Sequence, residues 1–244
     1  MGIKTADRTL DLIELYAHEQ CALTLSQISD KLGVPPSSTH GLVQTMLERG
    51  YLYELSRREG YYPTKKLERS TKLISDGDFV WRGITPYLQR LSSEIAETVL
   101  LAKRQGNKVI YLEVAECTQS VRFSPLVGET KSLHCSATGK ALLGALNEHD
   151  LDKELSKLKL DSRTNETITD IHELKTEILN QKKQGWYQVI GENIPDLMSI
   201  AIPFRLNDEI YVLGAGGPIN RFKPLIKEHA DAMLATQQQL LKSF

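Results

Sequence analysis

The serine, lysine, cysteine and histidine residues of this chain could do covalent chemistry, but their spacing argues against it. Ser136 precedes Lys140 in the run Ser136-Ala137-Thr138-Gly139-Lys140. A lysine-activated serine nucleophile of the penicillin-recognising kind needs SxxK, and this run reads SxxxK. His134 and Cys135 adjoin. Neighbours on an extended strand face opposite sides, so a thiolate–imidazole pair is not expected. The other histidines, His18, His40, His149, His172 and His229, form no HxxxH or HExxH spacing. Cys21, Cys117 and Cys135 include no CxxC pair, which argues against a disulfide framework or a thiolate zinc site and makes a reducing cytosol the default. Gly214-Ala215-Gly216-Gly217-Pro218 lacks GxGxxG and ends in proline instead of opening a helix, so no dinucleotide fingerprint is present. No catalytic residue, metal site or cofactor is predicted, and the chain does not read as an enzyme.

Non-covalent chemistry is better supported. Ser136 suits the N-cap of a helix over 137–146, with Lys140 projecting from its first turn. The unpaired amides of such a turn favour a carboxylate. The glycines at 214, 216 and 217 let a backbone approach either a ligand or a neighbouring strand. A second cluster is basic. Residues 57–72 hold Arg57, Arg58, Lys65, Lys66, Arg69 and Lys72 against Glu59 and Glu68. Such a run is either a solvated face or a surface that meets phosphates.

The elements that must position these groups fall into two parts. Leu12, Ile13, Leu15 and Tyr16 recur at helical spacing in a helix from Thr5 to about Glu19. Thr24 and Gln27 form a capping box for a helix over Leu25–Leu32, which Gly33 ends. Val34-Pro35-Pro36 is a rigid break. A third helix opens at Ser37-Ser38-Thr39 and runs to about Glu48, burying Leu42, Val43, Met46 and Leu47. Tyr51–Leu55 and Tyr61–Pro63 read as two short strands around a polar turn. Three helices and a hairpin in that order predict a winged helix-turn-helix, whose third helix presents its N-terminal residues to a major groove. The basic run falls on the wing and just after it.

Residues 64–78 read as a polar linker helix broken at Gly77. Beyond it, Ile84, Leu88, Leu91 and Ile95 share one helical face. Strands are predicted at Val99–Lys103, Val109–Val114, Val121–Phe123, Trp186–Gly191, Ser199–Phe204 and Ile210–Ala215. Helices are predicted after Ser136, near Leu151–Leu158, over about Asp170–Gln184 and over about Pro224–Lys242. Helices and antiparallel strands in one domain make the class α+β. The length of 244 residues allows two modest domains, and 41% hydrophobic with 25% charged residues excludes a disordered tail or a collagen-like chain. No apolar run is long enough to cross a bilayer, and MGIKTADRTLDLIELY does not read as a secretory signal. The net charge of −1 gives no global attraction to nucleic acid, so that reading rests on local pattern.

Leu133-His134-Cys135-Ser136-Ala137-Thr138-Gly139-Lys140-Ala141-Leu142-Leu143 resembles the signature of the isocitrate-lyase-regulator (IclR) family of bacterial transcription factors. Gln184-Gly185-Trp186-Tyr187 with Ser199-Ile200-Ala201-Ile202-Pro203 is similar to a second block of that family. Gly217-Pro218 followed by Arg221 is similar to a third, and Pro35, Ser37, Ser38 and His40 fit its recognition helix. The resemblance implies a winged helix-turn-helix over 1–66, a linker helix over 67–80, and a GAF-like effector domain with a central antiparallel sheet over 81–244. It implies a cytoplasmic homodimer or dimer of dimers on double-stranded promoter DNA, with a small organic or aromatic acid as effector and an effect on DNA binding or on recruitment of RNA polymerase. A repressor is the expected sign.

Carried over by position, the effector pocket would include Gly128, Cys135, Val189, Ser199, Gly214 and Gly216. Members that bind small hydroxy or keto acids commonly have an acidic residue in place of Val189, a cysteine in place of Ser199, and serines in place of Gly214 and Gly216. Those departures predict a roomier, less polar pocket and a larger effector. Gly41 replaces an arginine common in the family, so base reading falls to Ser38, His40 and Gln44 and points to an A·T-rich operator core. Arg8, Arg57 and Arg58 are expected on phosphates, and Thr24, Ser37 and Thr39 complete the expected DNA-facing set.

Overall fold

The computed structural model describes residues 2–56, 59–77 and 79–244, and of residues 79–82 the backbone alone. The chain divides into two compact units, Met1–Phe79 and Val80–Phe244.

The first unit runs α1 (Lys4–Glu19), α2 (Leu25–Leu32), α3 (Pro36–Glu48), β1 (Leu52–Ser56), β2 (Gly60–Pro63) and α4 (Lys66–Gly77). The capping box forms. The Thr24 N–H donates to Gln27 Oε1 at 2.8 Å, and the Gln27 N–H donates to the Thr24 hydroxyl at 3.4 Å. Both amides lie outside the reach of the helix's own carbonyls. The first residue of α3 is Pro36, one before the expected serine, because a proline at that position forfeits no helical hydrogen bond. Leu12, Tyr16, Leu23, Ile28, Leu42, Val43, Met46 and Leu52 close the core between the helices and the hairpin.

The hairpin is tied back to the start of α2. Leu23 and Tyr61 exchange both backbone hydrogen bonds, at 3.1 and 2.9 Å. The Tyr16 hydroxyl donates to the Tyr61 carbonyl at 3.0 Å. Gly60 stands at φ +88°, and a Cβ there would lie 2.3 Å from the Leu23 oxygen. Only glycine allows that approach.

The second unit begins with α5 (Phe79–Ile95), β3 (Thr98–Gln105), β4 (Lys108–Ala115) and β5 (Thr130–Ser132). Then come α6 (Ala137–Gly144), α7 (Glu148–Leu155), α8 (Ile171–Gln184) and β6 (Tyr187–Ile190). It closes with β7 (Leu197–Leu206), β8 (Glu209–Pro218), α9 (Ile219–Phe222), a 3-10 turn over Lys223–Leu225, and α10 (Ile226–Ser243). Its strands make one antiparallel sheet in the order β5-β4-β3-β8-β7-β6.

Both faces of the sheet are covered, which explains the nearly unbroken apolar runs in its middle strands. Val99, Leu101, Ile200, Ile202 and Leu213 point to one face, against Ile84, Leu88 and Leu91 of α5 and Met233 of α10. Leu100, Ala102, Ala201 and Val212 point to the other, against Ala141 and Leu143 of α6 and Leu174 and Ile178 of α8. Each Val, Leu, Ile or Met fully buried in this way contributes about 1.5–3 kcal/mol.

Two local features differ from the sequence expectation. Residues 121–123 form no strand. They belong to a strap, 116–129, without regular structure, and the β4 edge is taken by the three-residue β5. The pairing of β3 with β4 slips by one residue between Leu101 and Ala102, so that Ala102 faces Tyr111. This bulge puts Tyr111 and Val114 on the same face despite their odd separation. No helix among the described residues is long and apolar enough to cross a membrane.

Candidate DNA interface and effector cavity

In the first unit, α3 offers one solvent-facing side. Ser37, His40, Gly41 and Gln44 are exposed and Ser38 is half-buried. The Gln44 amide donates to Glu48 Oε1 at 3.3 Å, which lays the side chain along the helix. A Cβ on Gly41 would meet nothing within 4 Å, so packing does not require glycine there. Arg8 is half-buried on α1. Arg57 and Arg58, expected on the wing, lie outside the described residues.

One member of the expected DNA-facing set, Thr39, is corrected, and a second, Thr24, has its hydroxyl engaged. Thr39 is wholly buried. Its hydroxyl donates to the carbonyls of Val34 (3.3 Å) and Pro35 (3.2 Å), so it braces the turn into α3 from inside. The Thr24 hydroxyl is engaged with Gln27 on both sides, accepting its N–H and donating to Oε1 at 3.0 Å. Its part is to cap α2. One cation of the basic run is also occupied: the Lys66 ammonium donates to the Arg49 carbonyl at 2.6 Å and sits 4.7 Å from the Tyr51 ring centroid. A cation suits that carbonyl end of α3.

In the second unit a cavity of about 30 Å³ lies against the first turn of α6. Ser136, Ala137 and Thr138 present that turn to it. The Ser136 hydroxyl accepts the Gly139 N–H at 3.1 Å and donates to the Ser132 carbonyl at 2.7 Å. The amides of Ala137 and Thr138 precede the first intrahelical bonds and stand at the positive end of the helix. Tyr111, Asn193 and Ser199 add polar groups to the wall. Leu100, Phe123, Val189, Ile194, Leu197 and Ile200 supply the apolar part.

Burial pushes the Tyr111 phenol up and the Glu129 carboxylate adds to this, against a hydrogen bond with Thr138, so the group is a neutral donor. Burial also pushes the Cys135 thiol up, which leaves it protonated and unreactive. Its Sγ lies 3.8 Å from Asn193 Oδ1.

Four residues expected at the pocket meet at the cavity: Cys135, Val189, Ser199 and Gly214. Gly128 and Gly216 do not line it. Gly128 is exposed and turns the chain toward β5 at φ +84°, with its N–H on the Tyr111 carbonyl at 2.7 Å. Gly216 is separated from the cavity by the Phe123 ring, whose Cδ1 would lie 3.1 Å from a Cβ at 216.

The glycines at 214 and 216 do not open the cavity. The volume left by the missing side chains at 214 and 216 is filled by Leu100, Thr138 and Phe123, each within 3.1 Å of where a Cβ would stand. Lys140 does not reach the cavity. It is fully buried and paired with Glu192 and Glu177.

Sequence reasoning missed Tyr111, Phe123 and Asn193. Tyr111 reaches the site through a bulge, Phe123 lies in an aperiodic strap, and Asn193 lies in a turn. None of the three has a spacing that announces a ligand. Ser136 was signalled as an N-cap, beside the four residues carried over from the family.

Two family models cover most of the chain. The model described as the IclR helix-turn-helix domain matches residues 5–56, and that of the bacterial transcriptional regulator IclR C-terminal domain matches residues 79–239. The chain belongs to the IclR family. It is 30% identical to the HTH-type transcriptional regulator BhcR of Paracoccus denitrificans over 98% of this chain and 86% of that one. It is 25% identical to the transcriptional repressor IclR of Escherichia coli, over 90% and 81%. In fold, the Thermotoga maritima IclR crystal structure superposes at a TM-score of 0.82 with 20% identity, covering 99% of both chains. An IclR homologue from Microbacterium hydrocarbonoxydans, solved with 4-hydroxybenzoate, superposes at 0.72 with 23% identity, over 98% and 99%. This IclR-family chain is thus a transcriptional regulator, with a DNA-binding helix-turn-helix unit and a C-terminal effector unit. In that frame the exposed side of α3 is the candidate DNA-reading face, and the cavity at α6 is the candidate effector site.

Proposed function

We propose that this regulator is a repressor that binds promoter DNA as a homodimer or dimer of dimers in the cytoplasm and responds to a small organic acid held at the first turn of α6. The observation that carries the effector half is the cavity itself. A helix N-terminus, the hydroxyls of Ser136, Thr138 and Ser199, a neutral phenol and an amide line it together with apolar side chains. That arrangement suits a carboxylate at one end and a short carbon skeleton at the other. The relative solved with 4-hydroxybenzoate is a carboxylic acid complex, which supports the same chemistry here.

On DNA, His40, Gln44, Ser37 and Ser38 read base edges from α3, while Arg57 and Arg58 on the wing and Arg8 on α1 hold phosphates. One unit reads one half-site, so a palindrome calls for two copies. The repressor sign follows two relatives named as repressors, IclR of Escherichia coli and the acetate operon repressor of Salmonella typhimurium. RNA polymerase is a further partner where promoter occupancy is read out. An effector shifts the assembly only through different affinities for its DNA-bound and free arrangements.

The test is selection of a random duplex pool at two salt concentrations, followed by titration of the selected site with two- to seven-carbon acids. An enriched palindrome whose binding weakens steeply with salt, and which one acid class releases, is expected. Unselective binding at both salts overturns the DNA half, and indifference to every acid overturns the effector half.

A further inference from the structure

We infer that Phe123 sets the size of the effector, as the plug of a gate formed by residues 116–125 of the strap, and that Thr98 and the Glu97–Arg221 pair hold this gate shut. The inference rests on the effector reading of the cavity.

The half-buried Phe123 ring is one wall of the cavity. It occupies the place a side chain at 216 would take, with Cδ1 3.1 Å from that Cβ position. Glycine at 216 is therefore what admits the ring, and the ring reduces the cavity to about 30 Å³. A water needs roughly 10–15 Å³ of such space, so about two waters fit. A two- or three-carbon acid, of four to six heavy atoms, enters only with a small shift of the walls. A benzoate does not fit until the ring leaves.

The strap has no helix or strand to hold it. It is held instead at the amide of the buried Cys117, which donates to the Thr98 hydroxyl at 3.4 Å, and at two carbonyls. The Thr98 hydroxyl donates to the Phe123 oxygen at 2.6 Å, and Arg221 Nη2 donates to the Val121 oxygen at 3.1 Å. Arg221 is itself fixed by two bonds to Glu97, at 2.6 and 2.8 Å. Glu97 is 1% exposed. The strap also closes on itself, because Glu116 accepts from Arg122 at 2.8 Å and from Ser124 at 2.6 Å. Its outer side is solvent-facing, with Val121 71% exposed. A segment with few buried contacts and a small set of polar ties opens locally at low cost. Breaking the Thr98 and Arg221 bonds would free Phe123 and enlarge the site without disturbing the sheet.

The experiment uses the full-length protein, with calorimetric titration of pyruvate, benzoate and 4-hydroxybenzoate into wild type, Phe123→Ala, Phe123→Leu and Thr98→Val. Melting curves establish that each variant is folded, and Phe123→Leu keeps the test decisive if the alanine form is not. Wild type is expected to bind pyruvate and to exclude both aromatic acids. Phe123→Ala should shift affinity about tenfold or more toward the aromatic acids relative to pyruvate, and Phe123→Leu should give part of that shift. Thr98→Val should raise aromatic binding with the ring still in place, which a merely space-filling Phe123 would not give. Equal aromatic affinity in wild type and Phe123→Ala overturns the gate while leaving the effector reading intact. Silence of every protein toward every acid overturns the effector reading and the gate with it.

Discussion

Lys140 and Glu192, 52 residues apart in sequence, form an ion pair in the interior of the effector unit. The Lys140 side chain is wholly buried, and its ammonium also donates to Glu177 at 2.9 Å. Glu192 immediately precedes Asn193 of the cavity wall, and Lys140 lies one turn beyond the helix end that faces the same cavity. The pair thus fixes the turn after β6 against α6. Burial pushes the Glu192 carboxyl up, and Lys140 opposes that shift.

Removing one partner of such a pair costs more than removing both. Lys140→Met strands a buried carboxylate, and a loss of about 3–5 kcal/mol is expected. Lys140→Met with Glu192→Gln should lose clearly less. Urea unfolding of the two variants checks this, and a double variant no more stable than the single one would contradict it.

Acidification should weaken the fold already in the ordinary imidazole range. Burial lowers the pKa of both His134 and His229, outweighing the Asp161 carbonyl beside the first and Glu97 and Glu228 near the second. As pH falls through the ordinary imidazole range, the unfolded chain takes up protons that the folded chain refuses, so stability declines. The melting temperature is expected to drop between pH 7 and 5.5. His229→Leu, which keeps an apolar contact with Phe222, should flatten that slope. An unchanged slope would sink the assignment.

In the DNA-binding unit, capping and strain are separable. Thr24→Ala removes the cap of α2 and should cost about 1 kcal/mol. Gly60→Ala places a Cβ 2.3 Å from the Leu23 oxygen at φ +88° and should cost more than about 1 kcal/mol while loosening the hairpin. Melting curves rank the two, and a Gly60→Ala protein as stable as wild type would refute the close approach.

Base reading and bracing should also separate. Gln44→Ala is expected to lose about 1–3 kcal/mol of discrimination at one base pair with the salt slope unchanged, whereas Arg58→Ala should lower the salt slope across all sequences. Thr39→Val should reduce stability and leave sequence preference alone, because its hydroxyl faces the turn. Anisotropy titrations of the selected duplex and its single-base variants, at several salt concentrations, distinguish these outcomes.

Much of this was legible in the sequence, for local reasons. The Thr24–Gln27 box, the Gly33 stop and the Ile84–Ile95 face are encoded within a few residues, and each formed. The family blocks placed Cys135, Val189, Ser199 and Gly214 at one site. The rest depends on contacts distant in sequence. Whether a glycine leaves space or admits a neighbour is decided by what stands opposite, and at 216 that is Phe123, from a segment misread as a strand. Thr39 looked DNA-facing because it adjoins Ser38, yet one step of helical rotation turns it to the Val34 and Pro35 carbonyls. Lys140 looked like a pocket residue because it shares a helix with Ser136, and the carboxylates that claim it lie 37 and 52 residues away.

The tie between Leu23 and Tyr61 bears on how such a regulator changes targets over generations. The hairpin is anchored through Tyr61 of β2 by backbone atoms, whose hydrogen bonds survive most side-chain replacements. Residues at the tip and on the open side of α3 can then mutate while the frame that aims them stays put. Acquiring a new promoter requires few substitutions, and none of them has to pass through an unfolded ancestor.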